Sequence, residues 1–159
     1  MEQGAHPLAR GHRTPRPRRV AGFTLIELMV TIVVVAIFAS LAAPSFRQMI
    51  ATQRVRSAAS AITESLWLAR SEAIKRNTDV SFSFSNVADG WQVMAGGTAI
   101  HAQDALPAVS STDAAYTFNP YGRVTGFGKL HIGVSSAGVY RCVTVSSSGR
   151  SSVEDGKCS

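Results

Sequence analysis

One carboxylate interrupts an otherwise apolar run. Glu27 is the single ionisable residue in GFTLIELMVTIVVVAIFASLAA, residues 22–43. A carboxylate held in lipid costs at least a few kcal/mol unless a partner neutralises it. An amine is the natural partner, so the chemistry to expect at Glu27 is charge pairing rather than catalysis. Elsewhere the candidates fail on spacing. Gly128-Lys129 lacks the rest of a phosphate loop: Leu130 stands where Ser or Thr is required, Gly122 is one position out of place, and no helix follows. Residues 133–137, GVSSA, lack the last glycine of a nucleophile elbow. His101 and His131 stand alone and there is no C-x-x-C pair, which leaves no metal centre. The two cysteines, Cys142 and Cys158, form an even, close pair. In an oxidising compartment they read as a disulfide, and a loop of about 15 residues stabilises by about 3 kcal/mol in the chain-entropy model. No catalytic residue, metal or cofactor is expected.

The element that must position Glu27 is a helix. Residues 23–43 at about 1.5 Å each make a helix of roughly 31 Å, enough to cross a bilayer core. Before it, Arg10, Arg13, Arg16, Arg18 and Arg19 oppose one acid, Glu2, among three prolines. That composition cannot pack a core. It favours a cytoplasmic N-terminus and a translocated remainder. Three kinds of segment fit this outline. A secretory signal peptide would be cut after Ser40-Leu41-Ala42, but Glu27 inside its apolar region and Pro44 just beyond the cut argue against it. A plain membrane anchor leaves Glu27 unexplained.

The third is a type IV prepilin signal, which Gly22-Phe23-Thr24-Leu25-Ile26-Glu27-Leu28 closely resembles. The resemblance implies cleavage by a membrane prepilin peptidase between Gly22 and Phe23 and N-methylation of Phe23. It also implies that Glu27 meets the N-terminal amine of a neighbouring subunit during assembly. The leader would be residues 1–22, longer than is usual for the class.

Past residue 43, Pro44 is expected to kink the helix without ending it. Val55, Ala58, Ala59, Ile62, Leu66, Ala69 and Ala73 then recur at steps of three and four, one apolar face of an amphipathic helix. The spacing predicts one long helix from about Thr24 to Arg76, stopped at Asn77, with Trp67 partly buried beside the stripe. Residues 44–77 are thus the amphipathic continuation of the membrane segment 23–43. Leu68-Ala69-Arg70-Ser71-Glu72-Ala73-Ile74-Lys75-Arg76 resembles the signature of the GspH/FimT family, the pseudopilins of type II secretion and minor pilins of type IV pili. Read by themselves, Arg70 and Glu72 belong to a solvated face with ordinary helix pairs.

From residue 78 to 159 the period falls to two. Val80, Phe82 and Phe84 alternate with serines as a half-buried strand, Trp91 and Val93 continue in its partner, and Gly96-Gly97 ends that strand. Residues 101–114 lack periodicity and read as a surface loop. Residues 115–119 are a short strand before the Pro120-Tyr121-Gly122 turn. Residues 130–134 and 139–146 pair as a hairpin across 135–138, and a turn at 147–149 precedes a Gly/Ser-rich tail held chiefly by its cysteine. The fold expected is α+β and pilin-like: a long N-terminal helix, its first half transmembrane, packed on an antiparallel sheet.

Phe118–Arg123 and Ser148-Gly149-Arg150 resemble the two Gly-Arg turns of GspH/FimT proteins. In some FimT members a Gly-Arg-x-Arg segment binds DNA. Here it reads Gly149-Arg150-Ser151-Ser152, without the second arginine; DNA binding would need several phosphate contacts from Arg and Lys, and Arg141, Arg150 and Lys157 could cluster, though Glu154 and Asp155 lie among them. The cysteines flanking this segment look more like the FimU type of minor pilin. Net charge adds little. The leader holds five of sixteen basic and one of ten acidic residues, so the mature chain has eleven against nine, a net +2. That is not by itself a nucleic-acid-binding composition.

The resemblance implies an inner-membrane subunit with its C-terminal domain in the periplasm, later part of a pilus or pseudopilus. Its expected partners are other pilin subunits, the prepilin peptidase, an inner-membrane assembly platform and membrane lipid. Three roles remain open: a minor pilin that primes a type IV pilus or sits at its tip, a type II secretion pseudopilin serving protein export, and a DNA-binding pilus component.

Overall fold

The computed structural model describes residues 22–126 and 128–159. The leader expected at 1–22 therefore lies outside the described residues except for Gly22. The chain divides into two units, the first ending at Ala39 and the second running from Ser40 to Ser159. The first unit contains the start of helix α1 (Leu25–Arg76), and every described residue of it is exposed. Thr24 caps this start: its Oγ1 accepts from the Glu27 N–H at 3.2 Å, and its carbonyl accepts from the Leu28 N–H at 3.2 Å.

In the second unit α1 contains Pro44 rather than ending there. Burial begins at Ala51 and then follows the predicted stripe through Val55, Ala58, Ala59, Ile62, Leu66, Ala69 and Ala73. The helix stops at a left-handed residue, Asn77 (φ 52°). The Asn77 N–H reaches the Ile74 carbonyl and the Thr78 N–H reaches the Ala73 carbonyl, a Schellman arrangement that satisfies the final turn. Trp67 departs from expectation. It is 62% exposed, because one residue past Leu66 rotates it by about 100° off the stripe.

The strands divide between two antiparallel sheets. In the first, β1 (Val80–Phe84) pairs with β2 (Trp91–Ala95) on one side and with β5 (Ala114–Phe118) on the other. Outside these lie β3 (Thr98–Gln103) beyond β2 and β6 (Val124–Thr125) beyond β5. The second sheet runs β4 (Ser110–Ser111), β7 (Gly128–Val134), β8 (Val139–Val145) and β9 (Ser151–Asp155). The core joins the α1 stripe to Phe82, Trp91, Val93 and Phe118 of the first sheet and to Leu130, Ile132, Val143 and Val145 of the second.

Two expectations are corrected here. The loop read at 101–114 is partly strand: β3 extends to Gln103, and β4 pairs with β7. Gly96 and Gly97, at φ 56° and 83°, end β2 as expected and turn a tight hairpin into β3. β3 is an edge strand with no fully buried residue, so its sequence shows no alternation. The tail after Gly149 likewise does not hang from its cysteine alone. Residues 151–155 form β9, paired along its length with β8.

A buried polar contact also ties helix to sheet. The Trp91 indole N–H donates to Ser65 Oγ at 2.9 Å, and that hydroxyl donates to the Ala61 carbonyl at 2.9 Å. Ser65 is the one buried polar residue among the described residues. Next to Trp91, the Phe82 ring stacks with Tyr116 at 6.1 Å between centroids, and burial pushes the Tyr116 phenol above its ordinary pKa.

Candidate functional site

The N-terminal features form one exposed stretch. Gly22 and Phe23 precede the helix, and Phe23 is 76% exposed. Glu27 occupies the third helical position, where an acidic side chain meets the positive end of the helix dipole. Thr24-Leu25-Ile26-Glu27 has the spacing of a capping box, and the Thr24 half of that box is formed. This T-x-x-E signal was present in the sequence beside the prepilin motif and explains why the helix starts where it does. No residue from Gly22 to Ile50 is buried. Among the described residues α1 is the one helix long and apolar enough to cross a membrane.

The second cluster lies at the far end of α1. Glu72 behaves as an ordinary helix-face acid. Arg76 Nε donates to it at 2.5 Å and Lys75 Nζ at 3.4 Å. The Arg76 guanidinium, helped by Lys75 and opposed by partial desolvation, holds the Glu72 carboxyl below the usual carboxylate range.

Arg70 does not follow the solvated-face expectation. Its Nε donates to the Gly122 carbonyl at 3.1 Å, across 52 residues of sequence. The two Gly-Arg turns converge beneath it. In the first, the Gly122 N–H donates to the Asn119 carbonyl and the Asn119 N–H to the Arg123 carbonyl. Asn119 Oδ1 also accepts from the backbone of Tyr121 and Arg123. In the second, the Gly149 N–H donates to the Ser146 carbonyl and the Ser146 N–H to the Arg150 carbonyl. The Val124 N–H donates to the Ser147 carbonyl at 3.2 Å and ties the turns together. Gly149 (φ 74°) is packed so closely that a Cβ would collide with the Gly122 carbonyl oxygen and touch Arg70 Nε at 3.2 Å. Three separate motifs of the sequence thus meet at one junction. Helical spacing could not reveal it, because Arg70 borders the buried stripe and its partner comes from a distant turn.

Two of the three residues considered for DNA contact have local partners. Arg141 is paired with Asp155 at 2.6 Å, and Lys157 Nζ sits 4.6 Å from the Tyr140 ring centroid. Arg150 follows the far end of the ladder, where Val145 pairs with Ser151, while Arg141 pairs with Asp155 at the other end. Four strand residues at about 3.3 Å separate those ends by roughly 13 Å. The alternation that puts Arg141 opposite Asp155 is a consequence of β9, which the sequence reading lacked.

Cys142 and Cys158 are joined by a disulfide with Cα atoms 5.0 Å apart. The Cys158 N–H donates to His131 Nδ1 at 3.2 Å, and Lys129 Nζ donates to the Ser159 carbonyl. Among the described residues no group of three or more His, Cys, Asp or Glu side chains could hold a metal ion.

Comparisons with known proteins agree with this geometry. The family model described as "Type II transport protein GspH" matches residues 58–149, more than half of the chain. The model described as "Prokaryotic N-terminal methylation motif" matches residues 17–43. Two crystal forms of the type IV minor pilin FimU of Pseudomonas aeruginosa share the fold. One has 21% identity and a TM-score of 0.53, with 62% of this chain and 91% of that chain covered. The other has 20% identity and a TM-score of 0.54, covering 64% and 89%. No curated protein matches at a significant level. The long helix carrying a methylation motif, the α+β head and the matched 58–149 segment lead to one conclusion: the chain belongs to the GspH/FimT family of type IV minor pilins and pseudopilins.

Proposed function

We propose that this protein is a minor pilin of a type IV pilus, cut between Gly22 and Phe23, N-methylated on Phe23 and assembled through α1. The observation that carries the reading is that no residue from Phe23 to Ile50 is buried, although this start of α1 contains an apolar stretch long enough to cross a membrane. Such a surface needs a cover. Lipid supplies it in the inner membrane, with the leader in the cytoplasm and the head in the periplasm. Neighbouring pilin helices supply it after extraction, which keeps the transfer nearly balanced because lipid and helix faces are similarly apolar. Glu27 gives the transfer a register. Its carboxylate, one turn from the new N-terminus, neutralises the amine of an adjacent subunit. The prepilin peptidase and an inner-membrane assembly platform are the partners this route requires. The subunit primes assembly or sits near the tip.

The family model's description favours a second reading, a pseudopilin of a type II secretion system serving protein export. Both readings share processing and assembly and differ in the filament. DNA uptake is less well supported, since Arg150 lies at the other end of the β8–β9 ladder from Arg141 and Arg141 is ion-paired with Asp155.

The test is the intact mass and N-terminal sequence of the protein from membranes with and without prepilin peptidase. The expected product begins at methylated Phe23 only when the peptidase is present. An uncut chain, or a cut near Ala42, overturns the assignment. Co-purification with pilus or with secretion components then separates the two filaments.

A further inference from the structure

Beyond the apolar stretch α1 is basic. Arg47, Arg54 and Arg56 follow Pro44 with no acid before Glu64. None of the three is in an ion pair among the described residues. The placement runs against the usual bias, since in the proposed topology these arginines lie on the translocated side. Arg47 and Arg54 are seven residues apart, within about 20° of the same helix face. Together with Gln48 they line an open groove of about 850 Å³. Its other wall is the end of β7 and the turn after it, with Val134, Ser136 and Ala137. Arg56 lies outside the groove.

We infer that this groove binds the phosphodiester headgroup of an anionic phospholipid while the subunit is stored in the bilayer; the inference rests on the membrane-stored state proposed above. The depth is suitable. Arg47 is four residues, about 6 Å, past Ala43, and the headgroup layer extends about 5–8 Å beyond the hydrocarbon on each side. Arg54 is eleven residues, about 16 Å, past Ala43, but helical side chains lean toward the helix N-terminus, so its guanidinium reaches back toward the outer edge of that layer. The chemistry is suitable too. Paired N–H donors of guanidinium match two phosphate oxygens, the Gln48 amide and Ser136 hydroxyl add donors, and Ala51 and Val134 leave an apolar floor for the glycerol backbone. Extraction into a filament would release this lipid.

The experiment reconstitutes the full-length chain in nanodiscs of equimolar phosphatidylcholine and phosphatidylglycerol and counts retained lipids by native mass spectrometry. Each of the two groove arginines favours the anionic headgroup by about fivefold. Phosphatidylglycerol should therefore be retained preferentially, and Arg47→Gln with Arg54→Gln should reduce that preference by roughly 25-fold. Arg56→Gln should leave it nearly unchanged. Equal retention of the two lipids, an unchanged preference in the double variant, or an equal loss in Arg56→Gln overturns the site. Inorganic phosphate bound in neutral discs with the same arginine dependence assigns the groove to a free anion and overturns the lipid assignment. A chain that does not enter the discs overturns the membrane-stored state itself, whereas a chain that enters without lipid preference leaves that state standing.

Discussion

Replacing Gly149 by alanine should separate the two Gly-Arg turns. At φ 74° a non-glycine residue costs about 1–2 kcal/mol on backbone grounds. The added Cβ also meets the Gly122 carbonyl oxygen, which is backbone and cannot rotate away. Relief requires the turns to move apart, which weakens the Arg70–Gly122 hydrogen bond and the Val124–Ser147 bond. A hydrogen bond from a charged donor contributes about 1.5–3 kcal/mol and a neutral one about 1. Arg70 is only partly buried, so the low end applies, and the total is about 4 kcal/mol. For a head of this size that lowers Tm by roughly 10–20 °C.

Urea denaturation of the full chain in micelles, followed by the fluorescence of buried Trp91, would measure it. Gly138→Ala is the control. Gly138 has φ 66° but open space around its Cβ position, so it should lose only the backbone cost of about 1–2 kcal/mol. Arg70→Met should make Gly149→Ala less damaging, since the shared bond is already gone. If Gly149→Ala and Gly138→Ala prove equal within about 0.5 kcal/mol, the junction contributes nothing and the reasoning fails.

Other consequences can be checked alongside. Ser65→Ala leaves the buried Trp91 N–H without a partner and should cost about 1–3 kcal/mol in the same denaturation assay; Ser65→Thr should restore most of it. Cys142→Ser should cost about 3 kcal/mol by the loop-closure estimate while β9 stays paired, so amide exchange at 151–155 should rise without matching that of an unfolded segment. Because Arg76 and Lys75 hold the Glu72 pKa below 4.5, its contribution is present above that value and is lost as pH falls through the folded-state pKa; an acid titration of stability should be flatter in Glu72→Gln. Glu27→Ala should leave membrane insertion intact and abolish recovery of the subunit in sheared filaments; normal recovery would remove its assembly role.

Much of the fold was legible before any coordinates. The α1 stripe from Val55 to Ala73 and the alternation in Val80–Phe84 are periodic signals, because each element buries one face against the core. β3 and β9 were not legible. β3 is a sheet edge, and β9 has polar residues on both faces, so neither alternates; their places are set by the backbone bonds of β2 and β8. Trp67 was misjudged because hydrophobicity does not report which side of a helix a single residue occupies, and position 67 points away from the stripe.

The family motifs at residues 22–28 and 68–76 are contiguous, and contiguous chemistry can be read from a string. An apolar run containing one carboxylate implies a membrane helix with a partner for that charge, whatever the head looks like. The Arg70 junction, the Trp91–Ser65 bond and the Arg141–Asp155 pair each join residues distant in sequence. Those outcomes depend on strand register and on which turns the sheets bring together. A slip of one residue in β9 would turn Asp155 away from Arg141. Local composition therefore determined that α1 begins with an apolar stretch long enough to cross a membrane, and only the long-range pairing of the sheets decided which charged side chains are fasteners and which are left to meet a partner.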